Sequence, residues 1–77
     1  MARVTDVFSE VLGLAPEQIT DDTSPDNTPQ WDSVAAMTLV VAIEDEFDIR
    51  LSTAEIMSMR NVAIVKKVLQ TKGVAEV

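Results

Sequence analysis

The chain contains no cysteine, which removes disulfides, thiolate nucleophiles and cysteine-bound metals and agrees with a reducing compartment. It also contains no histidine, so the commonest general base and metal ligand is missing. Basic residues are scarce: six Lys and Arg stand against thirteen Asp and Glu, giving a net charge of -7 over 77 residues. A nucleic-acid binder needs clustered positive charge to displace phosphate counterions, so that function is excluded; basic protein surfaces are the expected partners. No long hydrophobic run occurs. The stretch Val34 to Ile43 is interrupted by Thr38 and falls far short of the roughly 20 residues of a membrane span. Near the start, Thr5, Asp6, Ser9 and Glu10 break any apolar run, so no secretory signal is expected. We therefore expect a monomer that is soluble and cytoplasmic.

With 47% hydrophobic and 25% charged residues the chain should fold. Residues 1–77 are read as a single small domain. A chain of this size buries only about 60% of the surface its unfolded form exposes, which leaves little room for an enclosed catalytic cleft.

Periodicity predicts helices. Val4, Val7, Phe8, Val11 and Leu12 recur at helical spacing, and Gly13 is suited to end that helix in a left-handed turn. From Leu14 to Gln30 the pattern gives way to three prolines among Asp, Asn, Ser and Thr, which predicts a long ordered loop with one short turn at Pro16 to Ile19 and with Ile19 plugged into the core. Pro29 restricts the chain before Trp31, a residue whose size favours core packing.

The second helix should start at Asp32 or Ser33, both good cap residues, and run to about Phe47. Ala36, Leu39, Val40, Ile43 and Phe47 share one apolar sector and predict its core face. Val34, Met37, Val41 and Glu44 share another. An ordinary surface helix would make that second side polar, so its apolar groups predict a covered face. After an extended Ile49 to Leu51, Ser52 and Glu55 form a capping-box pattern opening a short helix with Ile56 and Met57. Asn61 caps a final helix with a Val62, Val65, Val68, Leu69 stripe; Lys66, Lys67 and Lys72 suit the negative end of its dipole and Gly73 closes it. Residues 74–77 are expected to fray. The fold class is thus all-α: a small bundle of three main helices plus one short helix, with a long loop between helices 1 and 2.

Asp22, Ser24 and Asp26 have the first spacings of a calcium loop. Asn27 and Ser33 stand where that loop needs Gly and Glu, so a calcium site is rejected and no metal is expected. An isolated Asp-Ser pair would be read simply as a helix cap.

The pair is not isolated. Asp32-Ser33-Val34 followed by Glu44-Asp45-Glu46-Phe47-Asp48-Ile49 resembles the Asp-Ser-Leu and Glu-Glu-x-Phe blocks of the acyl carrier protein family, at that family's spacing. The likeness covers nearly the whole chain. It implies that Ser33 takes a 4'-phosphopantetheine arm from coenzyme A through a phosphopantetheinyl transferase, and that the arm's thiol holds acyl groups as thioesters. It gives Asp32 a role towards the transferase. It assigns partner recognition to Val34, Val41, Glu44 and Asp45, facing acyl-loading and acyl-processing enzymes with basic docking surfaces. Physically, a phosphodiester on Ser33 would sit at the positive end of a helix dipole, although Asp32 adds repulsion there.

Two departures from the family pattern matter. Val34 replaces the usual leucine, and Ala35 and Thr38 stand where relatives often carry acids, so the upper part of this face is less acidic. That thinner charge inclines the reading towards a discrete carrier in a specialised pathway, with fatty acyl, polyketide, aminoacyl or modified short-acid cargo all open. The alternative is a small helical adaptor that binds a protein through Val34, Met37 and Val41 with no prosthetic group. An independent enzyme is not expected, because Ser33 has no histidine, cysteine or nearby lysine to activate it.

Overall fold

The computed structural model describes residues 3–75 and 77. Among them, the elements are α1 (Val4–Leu12), a single 3-10 turn (Pro16–Gln18), α2 (Ser33–Phe47), α3 (Thr53–Ser58) and α4 (Val62–Thr71), with no strand. The expected architecture is therefore present: three main helices, a short fourth one, and a long connection between α1 and α2.

Helix α1 is the pillar, packing on α2, on the 3-10 turn and on α4. Its apolar repeat buries Val4, Val7, Phe8 and Leu12, and its end is turned by Gly13 at φ 69, a left-handed conformation that costs glycine little. Leu39 and Ile43 from α2 and Val62, Val65 and Leu69 from α4 complete one contiguous core. The core face of α2 is narrower than its apolar sector suggests. Ala36, Val40 and Phe47 are only half-buried: Ala36 and Val40 border a recess walled by Ile56 of the short α3, which has no buried residue of its own, and Phe47 borders one shared with Ile49, Lys72 and Val74.

The long connection has almost no regular structure, yet it is tightly held. Ile19 and Trp31 plug into the core as apolar anchors, and Thr23 and Thr28 are buried polar ones. Thr23 Oγ1 accepts from the Thr20 N–H at 2.9 Å, Asn27 Oδ1 from the Ser24 N–H at 3.0 Å, and Asn27 Nδ2 donates to the Asp22 carbonyl at 2.8 Å. The loop also serves α4. The first turn of a helix carries N–H groups with no partner inside the helix; here Val62 N–H donates to the Thr23 carbonyl, Ala63 N–H to the Asp21 carbonyl, and Ile64 N–H to the Asn61 side chain, at 3.0, 3.1 and 2.8 Å. Lys66 adds an ion pair to Asp21 at 2.8 Å.

At the far end of α2 the chain reverses through Asp48, the one described non-glycine residue with positive φ (51), whose N–H donates to the Glu44 carbonyl. Helix α3 then opens with the expected capping box: Ser52 Oγ accepts from the Glu55 N–H and Glu55 Oε1 from the Ser52 N–H, at 3.1 and 2.8 Å. Glu55 also pairs with Lys72 at 2.9 Å. That puts Lys72, the residue just past α4, in a contact with α3; Lys66 and Lys67 lie before the last turn of α4, which has no basic residue, so the expected complement to its dipole is confined to Lys72.

The tail does not follow the expectation of fraying. Val74 N–H donates to the Leu69 carbonyl, Val4 N–H donates to the Val77 carbonyl at 3.0 Å, and Val74 and Val77 pack against the core. Apolar burial and an otherwise partnerless first-turn N–H of α1 together hold it. Glu76, also in that tail, lies outside the described residues.

Candidate functional site

The site is set by what precedes it. The Trp31 N–H donates to the Thr28 carbonyl at 2.9 Å, and the buried Trp31 ring meets Phe8 edge-on, with centroids 4.9 Å apart and planes at 72°, a favoured aromatic geometry. The core role expected for Trp31 is the one it has. Because Trp31 is pinned to α1, the entry into α2 is fixed in position. Asp32 follows in extended backbone and is the cap: its Oδ1 accepts from the Ala35 N–H, and its carbonyl from the Ala36 N–H, both at 2.9 Å.

That assignment settles which of the two candidates caps the helix, and it has a chemical consequence. Since the Asp32 carboxylate does the capping, Ser33 becomes the first helical residue, exposed to solvent. Among the described residues no hydrogen bond engages its hydroxyl. The group is presented at the N-terminus of a 15-residue helix, where first-turn N–H groups and the dipole favour an anion. A phosphodiester fits there: nothing would have to be displaced from the serine oxygen.

Below Ser33, one side of α2 is apolar and open. Val34 is 74% exposed, Met37 73% and Val41 58%, so the face predicted to be covered is bare in the isolated chain. Two shallow recesses share it. One, of about 290 Å³, is lined by Ala36, Met37, Val40, Val41 and Ile56; the other, of about 470 Å³, by Met37, Thr38, Val41, Ala42 and Asp45. Ile56 from α3 thus forms the far wall of the first, a role that its place in a short capped helix did not reveal. A smaller internal recess of about 40 Å³ lies behind, among Phe8, Trp31, Ala36, Leu39, Val40, Ile56 and Met59. It has room for a few water molecules at most.

The two acids expected to read partners occupy different situations. Asp45 is exposed at the rim of the second recess. Glu44 is half-buried, and its Oε2 accepts from the Leu51 N–H at 2.8 Å. That bond ties the segment after α2 back onto the helix, a second employment for Glu44 that sequence spacing did not suggest. The structure therefore brings Val34, Val41 and Asp45 onto one surface with Met37, and Ser33 and Asp32 to its head; it gives Glu44 a structural bond beside them.

Residues 2–69 match a family profile described as "Phosphopantetheine attachment site". The chain is 30% identical over 73 residues to an acyl carrier protein of Bdellovibrio bacteriovorus, covering 95% of this chain and 94% of the relative. It is 32% identical to an acyl carrier protein of Renibacterium salmoninarum over 62 residues, 80% of this chain and 76% of the other. A third relative, an acyl carrier protein of Cyanidium caldarium, is 36% identical over 62 residues, 80% of this chain and 72% of that one.

Proposed function

Because this chain belongs to the acyl carrier protein family and carries that family's phosphopantetheine attachment site, we propose that Ser33 is the residue that takes the 4'-phosphopantetheine arm and that residues 1–77 act as one carrier unit. The observation that carries this reading is the exposed, unengaged Ser33 hydroxyl directly after a capping Asp32. In the attachment step the Ser33 oxygen forms a phosphodiester with the phosphopantetheinyl group of coenzyme A, its proton leaves, and the nucleotide part of coenzyme A departs. In this reading the phosphopantetheinyl transferase supplies the base: the chain has no histidine, and the neighbouring Asp32 carboxylate is engaged in capping the helix. The arm supplies the thiol that this cysteine-free chain lacks and holds an acyl group as a thioester. Asp32 keeps Ser33 out of the capping role and fixes the helix start, which is what this carboxylate contributes within the chain.

Partner enzymes, the transferase and acyl-loading and acyl-processing enzymes alike, dock on the α2 face through Val34, Met37 and Val41, with Asp45 and Glu44 supplying negative charge at its lower end. Exposed charges act over a Debye length of about 8 Å at physiological salt and steer association more than they hold the complex. Basic docking surfaces are the complement. The chain is a carrier in this reading and performs no chemistry of its own. Among the described residues no helix is long and apolar enough to cross a membrane, and the reading places the carrier in the cytoplasm. Ala35 and Thr38 leave the upper α2 face without acids, which supports service in a specialised pathway.

The test is intact mass after incubation with coenzyme A and a broad-specificity transferase. The parent should gain one phosphopantetheinyl group and Ser33→Ala none, with its circular dichroism unchanged. A gain that survives in Ser33→Ala overturns the site. No gain in the parent favours an adaptor that uses the same apolar face without an arm.

A further inference from the structure

Among the described residues two methionines face solvent, Met37 at 73% and Met57 at 71% exposure, while Met59 is half-buried against the core. They differ in setting. Met37 lines both recesses of the α2 face, and Met57 is in the lining of neither. The chain has no cysteine to intercept an oxidant, so exposed thioethers are its most accessible reducing groups.

We propose that Met37 is an oxidation site at which a peroxide converts the docking face from apolar to polar; this rests on the reading of that face given above. The thioether sulfur attacks one oxygen of hydrogen peroxide. An S–O bond forms, the O–O bond breaks, and the proton on the attacked oxygen passes to the departing hydroxide, which leaves as water. Sulfur is oxidised by two electrons and peroxide reduced by two. The sulfoxide is a strong acceptor on a side chain that was apolar.

The neighbourhood cannot absorb that acceptor. Val41, Ala42 and Val40 offer no donor, Asp45 is itself an acceptor, and the Thr38 hydroxyl already donates to the Val34 carbonyl at 3.1 Å. A partner that covers the face with apolar surface would therefore bury an unpaired S=O group, which is unfavourable. Oxidation should leave the fold intact, because an exposed side chain contributes little to the core. It acts on docking alone, and it is reversible by methionine sulfoxide reductases.

The experiment treats the unmodified carrier with hydrogen peroxide, removes the oxidant, maps sulfoxides by peptide mass, and measures the rate at which the transferase modifies each variant before and after treatment. The treated-to-untreated ratio should fall several-fold for the parent and for Met57→Leu, stay at one for Met37→Leu, and return to one for the parent after incubation with methionine sulfoxide reductase. A ratio of one for a parent fully oxidised at Met37, absence of Met37 sulfoxide while Met59 is oxidised, or an equal fall in Met37→Leu would overturn the proposal. Untreated Met37→Gln separates the two readings. If it is modified as fast as Met37→Leu, the docking face itself is misplaced; if it is slow while peroxide has no effect on the parent, only the oxidation site is lost.

Discussion

The long connection between α1 and α2 and the segment around α3 reverse the usual association of regular structure with firmness. The first has a single 3-10 turn to its name, but it buries Ile19, Thr23, Thr28 and Trp31 and lends two backbone carbonyls to the start of α4. The second contains a true helix, yet α3 buries no residue. Its apolar contacts with the core come from half-buried Ile49, Leu51 and Met59 on either side of the helix, and polar ties add to them: the capping box, Glu55 to Lys72, and Glu44 to the Leu51 N–H. Hydrogen bonds exposed to water contribute little net stability, whereas buried apolar anchors and satisfied buried donors contribute much more. Function divides along the same line. The loop fixes the start of α2 at Asp32 and Ser33, and Ile56 of α3 forms one wall of the recess on the α2 face, where the proposed docking would occur.

The sharpest test of this contrast is a pair of truncations, one from each region. Trp31→Ala removes a buried aromatic and should cost about 3–5 kcal/mol, much of the stability of so small a domain. Met57→Ala, on α3, should stay within about 0.5 kcal/mol of the parent. Urea unfolding followed by far-ultraviolet circular dichroism measures both, and similar losses for the two would break the contrast. A smaller effect is expected within the loop alone. Thr23→Val keeps the shape but deprives the Thr20 N–H of its acceptor, at about 0.5–1.5 kcal/mol; an unchanged urea midpoint would mean that the loop's polar bonds are incidental to its order.

The smallest effect belongs to α3 and depends on pH. The Glu55 carboxyl is held below its ordinary value of 4.5, first by the Ser52 N–H and then by Lys72. A group whose pKa is lowered by folding stabilises the folded state above its unfolded pKa and loses that contribution as pH falls through its folded pKa. Glu55→Gln should thus lower the thermal midpoint slightly at neutral pH, and the gap should close as pH is taken below the ordinary glutamate range. A gap that stays constant with pH would show that the Glu55 charge has no part in holding α3.

The elements were legible where a local rule sufficed. The α1 stripe, Gly13 at its end, the Ser52 and Glu55 capping box and Asn61 at the head of α4 all follow from spacing within a few residues, and the structure has each of them. What depends on another part of the chain was less visible. Asp32 and Ser33 are equally suitable caps by residue type; the structure gives the role to Asp32, directly after Trp31, which packs on Phe8. Glu44 finds the Leu51 N–H only because the chain reverses at Asp48, and no short spacing rule describes that pair. Phe47 carries the right pattern for the core yet ends half-buried, because its burial depends on what lies over it. The proposal for Ser33 was legible only through its company: the acid-rich end of α2 set the Asp32-Ser33 pair apart from an ordinary cap.

The bond from the Val4 N–H to the Val77 carbonyl joins the two extremes of the described chain, and its meaning is mechanical. A load that drew Val4 and Val77 apart would act on it directly. Tension applied there falls first on this one backbone bond and on the half-buried Val74 and Val77 beside it, which peel away in sequence instead of shearing together. A single hydrogen bond is worth about 0.5–1.5 kcal/mol net, so the last residues act as a weak fuse. They give way before Trp31, Phe8 and the head of α2 are disturbed, and the serine keeps its place.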